Sequence, residues 1–151
     1  MTRKKRTEDK SLETYYKWLR LKKWDANYNH FPAEIPIYTT NNERRMKIFI
    51  AGLKRKGKKA GFSDIVILEP HQGYSALFIE LKTKTGTPTL EQCAFISNVN
   101  NNGFLGCVAY GLDAAIKLTE WYMGELQTPP PFKKVTRKRK QINFEILEIG
   151  K

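Results

Sequence analysis

Apolar residues recur along this chain with two different periods, and each change of period marks a new element. From Thr7 to Lys23 the apolar positions Leu12, Tyr15, Tyr16 and Leu19 are spaced three and four apart. Lys17, Arg20, Lys22 and Lys23 cover the other side, so an amphipathic helix is expected. Thr7 is placed to cap its free amides, and Glu8 and Asp9 suit the positive end of its dipole. Residues 2–6, TRKKR, precede it as a basic arm expected to be flexible. Pro32 and Pro36 forbid a helix in residues 25–42 and leave a short extended piece around Ile35–Tyr38. A second helix is expected from Asn42-Glu43, with Met46, Ile48, Phe49 and Leu53 apolar, ending at Gly57.

The pattern then changes to strands. Asp64-Ile-Val-Ile-Leu68 is an unbroken β-branched and apolar run, Glu69–Tyr74 is a turn, and Ala76–Lys82 is a second run, which together read as a hairpin. With the turn centred near Gln72, Asp64 lies across from Glu80. Alternation of side chains puts Glu80 and Lys82 on one face and Leu81 on the other, and a register slip of one residue would separate the acids. After a loop, Pro88 opens a helix over Leu90–Asn100 with Thr87 or Thr89 as its cap. Cys93, Phe95, Ile96 and Val99 form its buried side, and Gln92 falls in the turn facing back to the end of the preceding strand. Phe104–Tyr110 is a further buried strand, and Gly111-Leu112-Asp113 opens a last helix through Tyr122, with Ala114, Ala115, Ile116 and Leu118 apolar. Strands alternating with helices argue for an α/β fold whose sheet is partly parallel. Beyond Thr128-Pro-Pro-Pro131, a linker, come a basic run from Phe132 to Lys140 and an alternating Ile142, Phe144, Ile146. This segment suits an edge strand or pairing with another chain, and is expected to be less ordered than the core unless a partner orders it.

A length of 151 residues suits one domain, and a hydrophobic fraction of 40% is enough for one core. The net charge of +12 adds a partner class: an excess of this size suits a polyanion, most often nucleic acid, although a solvated basic surface would carry the same charge. The turn holding Lys54, Arg55, Lys58 and Lys59 could seat a phosphate backbone through charge and free amides. Lys84 and the tail cations Arg137, Lys138 and Arg139 are further candidates for nucleic-acid contact. No apolar run approaches about 18 residues, so no membrane span is expected. The first residues lack the apolar stretch of a signal peptide. Cys93 and Cys107 lie inside apolar patterns and read as core residues in a reducing, cytoplasmic compartment. His30 and His71 stand alone, and no Cys/His cluster has zinc spacing.

Two carboxylates that converge repel each other unless they share a proton, pair with a cation or bind a metal. Asp64 and Glu80 offer hard oxygens which, with a backbone carbonyl and waters, suit Mg²⁺ or Mn²⁺. A metal there would activate a water and stabilise charge on a scissile phosphate. Lys82 is placed to orient or deprotonate that water, and Gln92 to hold the lysine or the water. Glu-x-Lys alone is a weak signal, since an exposed ion pair on a strand has the same form.

The whole order of turn, Asp, strand, strand, Glu-x-Lys, helix and Gln is more specific. On Gly57-x-x-x-Gly61-Phe62-Ser63-Asp64, Leu77-Phe-Ile-Glu80-Leu-Lys82 and Thr89-x-x-Gln92, the sequence resembles the VRR-NUC family of the PD-(D/E)XK nuclease superfamily, from about Glu8 to Met123. The resemblance implies a restriction-endonuclease-like core, with a mixed central β-sheet flanked by helices, over residues 7–125, and a basic tail over 126–151. It implies a Mg²⁺-dependent endonuclease whose catalytic residues are Asp64, Glu80, Lys82 and Gln92. The metal set it implies is Asp64, Glu80, the Leu81 backbone carbonyl and a glutamate of the first helix, for which Glu8 fits best and Glu13 second. Arg44 and Arg45 match a family segment with a substrate-contact or structural role. Stand-alone viral members act on branched DNA, Holliday junctions included, as dimers, so a homodimer is implied, in the host cytoplasm if the chain is viral. The family usually has Pro where this chain has Ser63. An inactive nucleic-acid-binding domain of the same fold is the alternative, and the intact set of four polar residues argues against it.

Overall fold

The structure is a computed structural model that describes residues 3–30 and 60–151. The extended piece at Ile35–Tyr38, the second expected helix, and Arg44, Arg45, Lys54, Arg55, Lys58 and Lys59 lie outside the described residues. Among the described residues the elements run α1 (Arg3–Lys22), a 3-10 turn (Asp25–Asn27), β1 (Tyr28–His30), β2 (Ile65–Ile67) and β3 (Leu77–Lys82). There follow α2 (Leu90–Asn100), β4 (Leu105–Tyr110), α3 (Leu112–Tyr122), β5 (Lys133–Arg139) and β6 (Ile142–Ile149). The first helix thus begins at Arg3, so residues 3–6 of the basic arm are helical; Arg and Lys are good helix formers and no breaker intervenes.

The strands form one six-stranded sheet in the order β1-β2-β3-β4-β6-β5. β3, β4 and β6 are parallel at its centre, and β1–β2, β2–β3 and β5–β6 pair antiparallel. This is the expected mixed sheet flanked by helices. Alternation along the central strands sorts side chains onto two faces. Leu77, Ile79 and Leu81 of β3 join Leu105, Cys107 and Ala109 of β4 against Tyr15 and Leu19 of α1 and Leu118 and Tyr122 of α3. A buried hydrogen bond of 2.5 Å between the Tyr15 and Thr119 hydroxyls ties those two helices together. On the opposite face, Phe78, Val108, Tyr110 and Ile146 pack against Cys93, Ile96 and Val99 of α2. Glu80 and Lys82 share the α2 face with Phe78. Cys93 and Cys107 are both buried and free, and burial pushes both thiols up.

The C-terminal segment differs from expectation. Instead of a loose tail, β6 adds to the sheet beside β4, with Cys107 opposite Leu147 and Ala109 opposite Ile149. The reason is burial: Ile146 and Ile149 are almost fully enclosed, and each such side chain contributes about 1.5–3 kcal/mol when removed from water. Without β6, the edge of β4 would carry unpaired backbone groups next to the core.

Candidate active site

The β2–β3 hairpin sets where its acids meet. Gln72 and Gly73 both have positive φ, 53° and 81°, and His71 and Tyr74 exchange backbone hydrogen bonds of 3.1 and 2.9 Å around them. That is a type I′ turn, whose twist matches the strands it joins. The ladder beyond it pairs Ile65 with Ile79 and Ile67 with Leu77, one residue off the register the turn alone would give, because the β2 side carries four steps from His71 to Ile67 against three from Tyr74 to Leu77. Continued by one residue, it sets Asp64 across from Glu80, as the sequence predicts. Asp64 stands just before β2 and turns its carboxylate onto the neighbouring strand, where its Oδ2 accepts the Leu81 backbone N–H at 3.0 Å.

Glu80 is fully buried. Its Oε1 accepts from the Lys82 ammonium at 2.5 Å, and from the side-chain nitrogen of Gln92. Gln92 is fixed from its other end: its Oε1 accepts the Thr89 N–H at 2.8 Å, while the Thr89 hydroxyl accepts the Gln92 N–H at 3.2 Å. This reciprocal pair is a capping box, and it makes Thr89 the cap of α2. The capping box and the Glu-x-Lys alternation together bring Lys82 and Gln92 to a single carboxylate oxygen.

The other oxygen is different. Glu80 Oε2 is buried and faces no hydrogen-bond donor among the described residues. Burial, and then the charge of Asp64, push the Glu80 carboxyl up to about 8, with Lys82 pulling the other way. A buried oxygen with no donor side chain, beside a second carboxylate with which it can share a proton, has the donor chemistry of a hard divalent cation site, since two carboxylates leave one negative charge beyond what Lys82 offsets. The described residues hold no group of three or more His, Cys, Asp and Glu side chains placed to hold a metal ion. A third carboxylate would therefore have to come from elsewhere. Glu8 lies on α1, with its side chain outside the described residues, and Glu13 is exposed on the same helix.

A loop ahead of Asp64 holds α2 in place. Gly61 has φ 89°, and a Cβ there would lie 2.3 Å from the Glu91 carbonyl oxygen and 2.8 Å from the Gln92 nitrogen. The chain leading to Asp64 therefore rests directly on the first turn of α2. Phe62 continues that contact against Phe95, with ring centroids 4.7 Å apart. Ser63, where the family usually has proline, is fully buried with an unpartnered hydroxyl among the described residues.

The expected basic contacts are distributed unevenly. The Lys84 ammonium donates to the Gly150 carbonyl at 2.5 Å, tying the loop after β3 to the end of β6. Arg137 donates to Glu148 at 2.8 Å, Arg139 lies 3.4 Å from Glu91, and Lys138 is exposed. Glu148 is a buried acid that sequence reasoning missed. It accepts from Tyr110 as well as Arg137, and it sits opposite Val108 on one side as Glu80 does on the other. Its one sequence signal is an acid in phase with Ile142, Phe144 and Ile146, and that carries weight only once β6 is known to lie inside the sheet.

A VRR-NUC domain profile matches residues 5–113. A solved structure described as a VRR-NUC domain protein superposes with a TM-score of 0.64 at 26% identity, over 78% of this chain and 88% of that one. Comparison with curated proteins returned no match. A profile spanning most of the chain, and a fold shared with a solved member, agree with the residues gathered on the hairpin and α2: this chain belongs to the VRR-NUC nuclease family.

Proposed function

We propose that this chain is a metal-dependent DNA endonuclease that hydrolyses phosphodiester bonds at Asp64, Glu80, Lys82 and Gln92. The observation that carries the reading is Glu80: fully buried, with two donors on Oε1 and none on Oε2, and facing Asp64. Such an arrangement is costly in an empty structural site and useful in one that holds a cation. Asp64, Glu80 and the Leu81 carbonyl would hold Mg²⁺ or Mn²⁺, with Glu8 as the fourth donor, and the ion would supply an activated water and charge stabilisation at the phosphate.

This chain's own groups do the rest. Glu80 binds in its ionised form, so its proton must leave first. Gln92 keeps the carboxylate from rotating. Lys82 holds its ammonium on the same face, where it orients the attacking water and offsets the charge that develops on the phosphate. The Leu81 N–H holds Asp64 in a fixed orientation. A net charge of +12 supports a nucleic-acid substrate. Branched DNA is the proposed substrate, cut by a homodimer whose two-fold axis relates opposed strands.

The test is Mg²⁺- and Mn²⁺-dependent cleavage of duplex, flap, fork and four-way junction DNA by the whole chain and by Asp64→Ala and Glu80→Ala. Both variants should lose cleavage and keep DNA binding. Cleavage retained in both would end the assignment of this site.

A further inference from the structure

The β5–β6 ribbon lies wholly beyond the residues that the family profile matches, yet it packs beneath the helix that carries Gln92. β4 partners Leu147, Glu148 and Ile149 of β6, and from Ile146 back to Ile142 the ribbon runs on with β5 as its pair. Alternation puts Val135, Arg137, Phe144, Ile146 and Glu148 on one face of it. That face is turned to α2: Val135, Phe144 and Ile146 pack in one cluster with Cys93 and Ile96. Cys93 follows Gln92, so the ribbon supports the turn of α2 that brings Gln92 to Glu80. Gly61 and Phe62 hold α2 on the β3 side, where Phe62 meets Phe95 and Phe78.

The same face of the ribbon holds a buried acid with its cation. Glu148 is 2% exposed, and its Oε1 accepts from Arg137 at 2.8 Å and from the Tyr110 hydroxyl at 3.1 Å. Arg137 stands opposite Phe144 in the ladder, four residues along β6 from Glu148, so its side chain reaches along the ribbon to make the pair. An enclosed ion pair adds little net stability, because desolvation offsets the attraction. Its position is more telling. Glu80 and Glu148 flank Val108 in the sheet. The Cys93 thiol lies in the field of both acids and of Arg137, so the pair and the candidate site sit under one helical turn.

We propose that the β5–β6 ribbon is a positioning element for the candidate site: the Arg137–Glu148 pair holds the ribbon against the first turn of α2, and that turn holds the Gln92 nitrogen on Glu80. The proposal rests on the nuclease reading of that site. Arg137 and Glu148 are positioning residues that act through Gln92. A displacement of about 1 Å in a positioned group costs about 10²-fold in rate, so a loosened turn is enough to be measured.

The test uses the whole chain and two variants that reach the same turn by different means. Arg137→Met/Glu148→Gln removes both charges together and leaves no buried charge unpaired. Phe144→Ala removes packing alone. In metal-free protein, amide hydrogen exchange at Thr89, Gln92 and Cys93 should quicken by about tenfold in both variants, while β3 and β4 amides keep their wild-type protection. In Mg²⁺, with saturating DNA that the wild type cuts, cleavage should fall by about tenfold or more. In a Gln92→Ala background the same changes should cost less than about twofold, since the group they position is gone. Additive losses overturn the proposal, because the ribbon would then act on DNA or on the fold directly. Unchanged exchange in the first turn of α2 overturns it, and so does exchange that rises equally in β3 and β4. Loosened exchange with wild-type cleavage overturns the positioning role. A wild-type chain that cuts no DNA removes the nuclease reading; first-turn loosening then upholds the brace on α2, and unchanged exchange removes it.

Discussion

Gln92 meets Glu80 with its amide nitrogen because its amide oxygen is already engaged by the Thr89 backbone N–H, 2.8 Å away. The capping box thus does two things: it starts α2, and it chooses which end of the Gln92 amide faces the carboxylate. A glutamate could cap the helix equally well but would bring a second acceptor to Glu80.

Gln92→Glu should therefore separate the two roles. The helix cap survives, so circular dichroism stays near wild type, while the second carboxylate against buried Glu80 lowers thermal stability in metal-free protein. Cleavage in Mg²⁺ falls by about 10²-fold or more, the size of effect seen when one positioned donor is lost from an active site. A variant that cleaves at the wild-type rate would show that the Gln92 nitrogen has no part in the site.

Glu80 predicts a pH dependence of stability whose sign follows from its shift. Its folded value of about 8 lies above its ordinary 4.5, so folding favours the protonated form. The stabilisation is fully present below about 4.5 and is lost as pH rises through about 8. Metal-free protein should accordingly resist urea less at pH 9 than at pH 6, with Glu80→Gln abolishing much of that difference. Added Mg²⁺ should restore stability at high pH, because a bound cation favours the ionised carboxylate. Equal urea midpoints for metal-free wild type at the two pH values would contradict the burial argument.

Gly61→Ala tests the contact between the loop and α2. Its Cβ would meet the Glu91 carbonyl oxygen at 2.3 Å in a backbone conformation with φ 89°. The expected cost is about 1–3 kcal/mol of stability, accompanied by weaker cleavage as Asp64 and Gln92 move apart. Unfolding midpoints and cleavage rates measured on one sample check both. An unchanged stability would mean that the loop can shift freely.

Ser63→Ala should do the opposite. The buried hydroxyl has no partner among the described residues, and removing an unsatisfied polar group recovers a desolvation cost of about 1–3 kcal/mol less the packing lost with the oxygen. Stability equal to or above wild type is expected, with cleavage unchanged. A clear loss of stability would reveal a partner for that hydroxyl.

The heart of the candidate site is local, and so it was legible in the chain. Asp64 and Glu80 are joined by one hairpin, whose register follows from apolar alternation on both strands, with one extra residue taken up between Ile67 and the turn. Gln92 follows after one short loop, in the first turn of a helix whose start Pro88 and Thr89 announce. Each of these relationships lies within one hairpin or within one loop and helix start, and short-range periodicity records such distances well.

Other features needed the tertiary structure. Periodicity shows that residues 142–149 can form a strand, but not that β4 is their partner: a parallel pairing across an intervening helix and linker is decided by which sheet edge is open and which apolar side chains can be buried there. Glu148 becomes a buried acid, with Arg137 and Tyr110 for partners, only after that docking. Gly61 becomes indispensable only once α2 rests against it. Three-dimensional packing brings these residues together, because the free energy that places them comes from contacts between segments far apart in the chain, and no local pattern of hydrophobic and polar positions encodes which distant surfaces will meet.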